Sequence, residues 1–386
     1  MTSQDRIIAG FVLLLFTSLP LGFDQLPLAQ AQELLRPWTE EVFTVGYDDE
    51  RVFFALITGL AMAEDGTLVV YDSESGSEPA VTVLSPGGTV VAQWGKMGDG
   101  PGELDGGGAG VALEGDTVLL AGPLGRMGFY TLEGEELARA AVPPGVYWES
   151  CLVNGAVIAW RVVMQIEGPS PGFALAFGPG DGRTTWATRS LATLSLGYLR
   201  HAPLLARLPG ERLAVGFGDE YALYLVAAES GDTLGLIARE VQQRSEADSD
   251  AFIERALDYS TRPDEAPEGW SSLVSPFLGR LGGYDTPLPL IRKAFWGPPG
   301  ALWVERGPGL QDEHAASLDR PDDSLLWDIF DVNDDHTSEY LGAVALPSGF
   351  RVVAANAERV AGVVMDDVGR HAVRVFRVTM PAILER

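Results

Sequence analysis

One kind of turn recurs along this chain, and each time it opens the same succession of short apolar runs. The turns fall at Glu64-Asp65-Gly66, Glu114-Gly115-Asp116, Asn154-Gly155, Pro209-Gly210-Glu211, Pro298-Pro299-Gly300 and Pro347-Ser348-Gly349. Their glycines, at 66, 115, 155, 210, 300 and 349, are 49, 40, 55, 90 and 49 residues apart. After the first turn come Thr67-Leu68-Val69-Val70-Tyr71, Ala80-Val81-Thr82-Val83-Leu84 and Val90-Val91-Ala92-Gln93-Trp94. Runs of about five such residues, bounded by Gly, Pro, Asp and Asn, are strands, and close spacing makes them antiparallel hairpins. Multi-stranded units repeating every 40 to 50 residues or so are the signature of propeller blades. A lone four-stranded sheet cannot bury both faces, so such sheets pack around an axis. Six turns predict an all-β chain, a six-bladed β-propeller of four-stranded antiparallel blades, with five or seven blades as the alternatives that the loose repeat leaves open. The 46 glycines and 25 prolines are then turn content, and 46% hydrophobic with 21% charged residues is a globular balance.

The first residues read differently. Arg6 precedes the apolar run Ile7-Ile8-Ala9-Gly10-Phe11-Val12-Leu13-Leu14-Leu15-Phe16, followed by Pro20, Gly22 and Ala29-Gln30-Ala31. Charge, short apolar segment, breaker and small-x-small site make a secretory signal, with the cut before Gln32. The rival is an uncleaved anchor from Ile7 to Phe23, at the lower limit for a span and interrupted by Pro20. The sequence thus predicts a signal over 1–31 and one propeller domain over 32–386. The protein is expected to be exported, periplasmic or extracellular, with no membrane span after cleavage. Cys151 is the single cysteine, so no intramolecular disulfide forms, and it reads as a small buried hydrophobe.

The longest interval holds an insertion over 243–292. Ser249 is an N-cap candidate, with Phe252, Ile253, Ala256 and Leu257 at helical spacing. A Pro- and Gly-rich loop from Arg262 to Pro289 follows. Long irregular loops are often functional.

Trp94-Gly95-Lys96-Met97-Gly98-Asp99-Gly100-Pro101-Gly102-Glu103-Leu104 resembles the G-x-x-G-x-G-P-G-E-F linker of NHL-type and related bacterial six-bladed propellers, including TolB-like ones. Asp65-Gly66-Thr67-Leu68-Val69-Val70-Tyr71-Asp72 is similar to that family's D-G-x-I-x-V-x-D strand. Trp327-Asp328-Ile329-Phe330-Asp331 through Leu346-Pro347, and the last strand Val373-Arg374-Val375-Phe376-Arg377-Val378, resemble its closing blade. The resemblance implies the fold, and a linker between one blade's outer strand and the next blade's inner strand. After Glu103-Leu104 the family's proline is replaced by Asp105-Gly106-Gly107-Gly108. It implies no activity, since propellers host many.

The chemistry is sparse. The amidating lyases that resemble this family place histidines around a central metal, whereas His201, His314, His336 and His371 are scattered here, with no close pair. Asp331-Val332-Asn333-Asp334-Asp335 has oxygen density suited to calcium, but the sixth residue is His336 rather than Gly, and a hairpin turn explains it better. No G-x-S-x-G elbow occurs. Gly98, Gly100 and Gly102 precede no helix, so they read as linker rather than phosphate loop. Trp160, Trp186, Trp296, Trp303 and Trp327 read as blade packing.

With 27 basic against 54 acidic residues and a net charge of −27, the chain repels phosphate backbones, which excludes nucleic acid as a partner. Lysine appears only at Lys96 and Lys293. The reading is an exported binding module for a protein, peptide or glycan, without a cofactor. Lys96, Asp99 and Glu103, together with the insertion, are the candidate contacts. The alternative is a calcium- or zinc-dependent hydrolase or lyase with an axial-channel site.

Overall fold

The computed structural model describes residues 34–35, 38–46, 52–73, 79–96, 98, 103–104, 110–121, 126–141, 146–163, 172–177, 184–190, 203–218, 220–243, 245, 290–307, 310, 326–346, 350–366 and 369–380. Every regular element among them is a strand. The expected signal and the expected helix near Ser249 lie outside these residues.

After β1 (Leu34–Leu35) and β2 (Trp38–Gly46), the strands β3 (Ile57–Met62), β4 (Leu68–Asp72), β5 (Val81–Leu84) and β6 (Val90–Trp94) form an antiparallel meander. A second meander contains β7 (Gly110–Glu114), β8 (Thr117–Ala121), β9 (Arg126–Tyr130) and β10 (Glu136–Ala141). A third contains β11 (Val146–Val153), β12 (Ala156–Val163), β13 (Gly172–Phe177) and β14 (Thr184–Ser190). The fourth holds β15 (Pro203–Leu208), β16 (Arg212–Phe217), β17 (Ala222–Ala227) and β18 (Thr233–Ala238). Next, β19 (Ile291–Gly297), β20 (Ala301–Arg306), β21 (Leu326–Val332) and β22 (Ser338–Ala345) take β1 as a parallel fifth strand on β22. Finally β23 (Arg351–Ala355), β24 (Arg359–Met365) and β25 (His371–Thr379) are completed by β2, paired from Trp38↔Thr379 to Gly46↔Ala372.

Apolar cores sit between successive sheets. Val69 and Tyr71 pack with Val118 and Tyr130, Leu119 and Met127 with Leu152 and Val157, and Ile158 with Leu205 and Leu213. Leu223 and Leu225 meet Leu302 and Phe330, while Trp303 and Trp327 meet Phe350 and Phe376. Ala361 and Val375 return to Leu60 and Leu68. The packing thus runs from sheet to sheet and back to the first, which makes the fold a β-propeller. Strands facing two neighbours are apolar throughout, as in Leu68-Val69-Val70-Tyr71, which is wholly buried. Outer strands such as Val90–Trp94 alternate in exposure because one face meets solvent.

Cross-sheet hydrogen bonds bind the turns together on one face. Asn154 N and Gly155 N donate to Glu114 Oε1 and Oε2 at 3.0 and 2.7 Å. Arg212 donates to Asn333 O at 2.7 Å, and Arg359 to Pro86 O at 2.6 Å. Five of the glycine turns separate the first and second strands of their sheets, as the repeat requires. The sixth, Pro347-Ser348-Gly349, falls ahead of β23 and outside the described residues; the matching hairpin turn is at 356–358. That turn lacks glycine. The Asn356 side chain closes it instead, accepting from Glu358 N and Arg359 N at 3.0 and 2.9 Å.

Candidate functional site

The first strands of the sheets abut in chain order, β3 beside β7, then β11, β15, β19, β23 and β3 again. They line the axis. Their bulges matter most. In β11 the register shifts between Tyr147 and Ser150, in β19 between Ile291 and Lys293, and in β23 between Val352 and Ala354. A bulge leaves a residue out of the ladder and re-aims its neighbours. The residues left out of the ladder are Trp148 and Glu149 in β11, Arg292 in β19 and Val353 in β23, and Lys293 is the first paired residue after its bulge.

Lys293 Nζ donates to Val352 O at 3.2 Å and to Val353 O, the carbonyl of the unpaired bulge residue, at 3.0 Å. Burial holds this amine below the ordinary lysine range, opposed chiefly by the attraction of Glu149. Burial likewise raises the Glu149 carboxyl, opposed by Lys293. Their strands are separated in the ring by β15, so the two groups belong to sheets that are not neighbours. The two groups do not close to an ion pair. Lys293 pairs in register with Glu305, whose carboxyl is also raised by burial and is 3.6 Å from Arg292 Nε. Arg351, at the start of β23, is exposed and acts on Lys293 as a like charge. The Ser150 hydroxyl is buried and makes no hydrogen bond.

A second polar group lies between the β15–β18 and β19–β22 sheets. Asp328, fully buried, accepts from Arg306 Nε and Nη2 at 2.9 and 2.6 Å, Arg239 Nη1 at 2.9 Å, Tyr340 at 3.0 Å and Tyr221. Arg239 also lies over the Tyr340 ring, 4.5 Å from its centroid. Burial pushes the Tyr340 phenol up to about 12, so it remains a neutral donor. Among the described residues no buried polar atom of this group lacks a partner, which makes it a clamp between sheets rather than a site.

The sequence candidates fall elsewhere. Lys96 and Glu103 lie in the connection between β6 and β7, with Lys96 Nζ 4.0 Å from Glu103 Oε1, and Leu104 N donates to Lys96 O at 2.7 Å. Asp99 and most of 243–292 lie outside the described residues. His371 Nδ1 accepts from Ile57 N at 3.0 Å. The 331–335 segment forms the expected hairpin turn, closed by Asn333 N to Thr337 O at 3.0 Å. Burial pushes the Cys151 thiol up to about 12. Trp303 and Trp327 are buried in blade packing. Among the described residues, no three His, Cys, Asp or Glu side chains gather as metal ligands, and no helix is long and apolar enough to cross a membrane. Sequence reasoning missed Glu149, Lys293 and Arg351; the rarity of lysine was the one available signal.

No protein-family model matches the chain, and no curated protein matches it. Among solved structures it is similar to a member of the DUF4221 family from Bacteroides vulgatus, at 11% identity and a TM-score of 0.49, over 89% of this chain and 99% of that one. It is also similar to a Bacteroides fragilis protein of inferred export, at 10% identity and 0.49, over 87% and 94%. The Swd1 β-propeller domain of Myceliophteria thermophila scores 0.41 at 10% identity, over 84% and 82%. Likeness at this level carries no argument about ligand or activity.

Proposed function

We propose that this chain is an exported binding module that takes a protein, peptide or glycan group at the axial end of a six-bladed propeller. The count treats the five-stranded sheet as a blade with β1 added. Export rests on the order of charge, apolar run and small-x-small site in residues 1–31. One observation carries the functional reading: charged side chains stand on bulged inner strands, where an all-apolar lining would stabilise the ring better. Burying charge without closing an ion pair is costly, and such cost marks sites of function more often than of scaffolding.

The connections support the same end of the molecule. Those at the stapled face are short, none longer than 178–183, whereas 95–109, 239–290 and 307–325 leave from the opposite ends of the strands. Lys96, Asp99 and Glu103 belong to the first of these and are the proposed rim contacts. The test is a peptide and oligosaccharide array, with capture from culture extract, comparing wild type, E149Q/R351A and K96A/D99A/E103A. The reading expects a reproducible ligand that both variants lose. A ligand bound equally by all three proteins contradicts it.

A further inference from the structure

We infer that the roots of two long connections, 239–290 and 307–325, form one conformational unit that orders and loosens together. The inference goes beyond the binding reading and stands whether or not the axial end takes a ligand. Three kinds of tie carry it. The first is main-chain. Gln243, five residues past the end of β18, forms an isolated antiparallel bridge with Leu310, four residues past the end of β20. Gly307 N, where the second connection departs, donates at 2.8 Å to the carbonyl of Leu290, where the first returns. Leu290 N in turn donates to Gly218 O at 2.6 Å. The second tie is ionic. Arg239 opens one connection and Arg306 immediately precedes the other. They share the Asp328 carboxylate, Arg239 Nη1 on Oδ2 at 2.9 Å and Arg306 Nη2 on Oδ1 at 2.6 Å. The third is apolar, since Val241, Leu290 and Leu310 enter the same core as Leu302 and Phe330.

Each tie holds residues of both connections, so neither root loosens at its own expense alone. Withdrawing Arg239 takes one of two cations from a fully buried carboxylate. Withdrawing Val241 uncovers part of the core in which Leu310 is buried. Loosening one root thus lowers the cost of loosening the other, which is a coupling free energy between two segments. It also makes them one local opening unit rather than two. A ligand that orders either connection then orders the other without touching it. The connection between β6 and β7 is rooted differently. It is closed on itself by Gly98 N to Leu104 O at 2.9 Å and Leu104 N to Lys96 O at 2.7 Å, and it shares none of the ties above.

Hydrogen exchange read by mass spectrometry tests this, comparing wild type with R239A and L310A, one variant at each root. Exchange is followed over 239–245, 307–310, 96–104 and 57–72. Each variant is expected to exchange about tenfold faster than wild type at its own root and at the other. Both are expected to match wild type over 96–104 and 57–72. R239A that accelerates 239–245 alone, or L310A that accelerates 307–310 alone, overturns the inference, because the roots then loosen independently. Acceleration that extends to 57–72 overturns it as well, because the roots then open only with the whole ring. No ligand enters this experiment, so the array judges the binding reading separately.

Discussion

Glu149 on β11 and Lys293 on β19 each favour the other's charged form, although their strands are not neighbours in the ring. Each is displaced from its usual protonation by burial first and restrained by the other second. Stability spent on such a pair needs a compensating use.

That cost has a pH signature. A carboxyl whose folded value is raised binds its proton more tightly in the fold than in the unfolded chain, so its contribution to stability falls as pH rises above the ordinary glutamate range. E149Q removes the decline. The variant is expected to melt a few degrees higher than wild type at pH 7 and at the same temperature near pH 4. Thermal unfolding across that range checks it. A lower melting point at pH 7 would mean that the Lys293 attraction outweighs burial.

Asp328 joins Arg306 and Arg239 between two sheets, so D328A removes the carboxylate with which both guanidinium groups pair. The expected loss is about 3–5 kcal/mol in urea unfolding. R239A, at the more exposed edge, is expected to cost less. Equal losses would show that the clamp is not centred on the carboxylate.

Asn356 replaces the glycine that the other first turns use. Its side chain also donates to Ala63 O and Glu64 O of the first sheet, at 3.0 and 3.2 Å. N356A loses four hydrogen bonds, two of them across the seam where the chain's ends meet, and is expected to cost about 2 kcal/mol. Chemical denaturation measures this.

The Cys151 thiol, pushed up to about 12 by burial, remains protonated at pH 8. Iodoacetamide is expected to leave it unmodified in the native protein and to alkylate it in urea, since the thiolate is the nucleophile. Fast native labelling would show that the β11 region opens.

Much of the blade was legible because turns and apolar runs are local. Gly66, Gly115, Gly155, Gly210 and Gly300 mark first hairpins directly, while Asn356 does the same work through a side chain and escaped a glycine count. The added strand β1 was not legible, since its two residues give no sign in the chain of pairing with β22. The axial groups were hidden for a different reason. Tyr147 to Ser150 reads as an ordinary strand, and the bulge at Glu149 shows only once β11 is paired with β12. A register shift is a property of two strands and leaves no mark on one.

The two lysines make the central claim directly measurable. Protein labelled with 13C-lysine gives NMR signals for Lys96 and Lys293, and K96R assigns them. The account predicts that the Lys293 side-chain signal titrates below the ordinary lysine range, that Lys96 does not, and that E149Q lowers the Lys293 midpoint further by removing its strongest attraction. A Lys293 midpoint that matches Lys96 and ignores E149Q would contradict it.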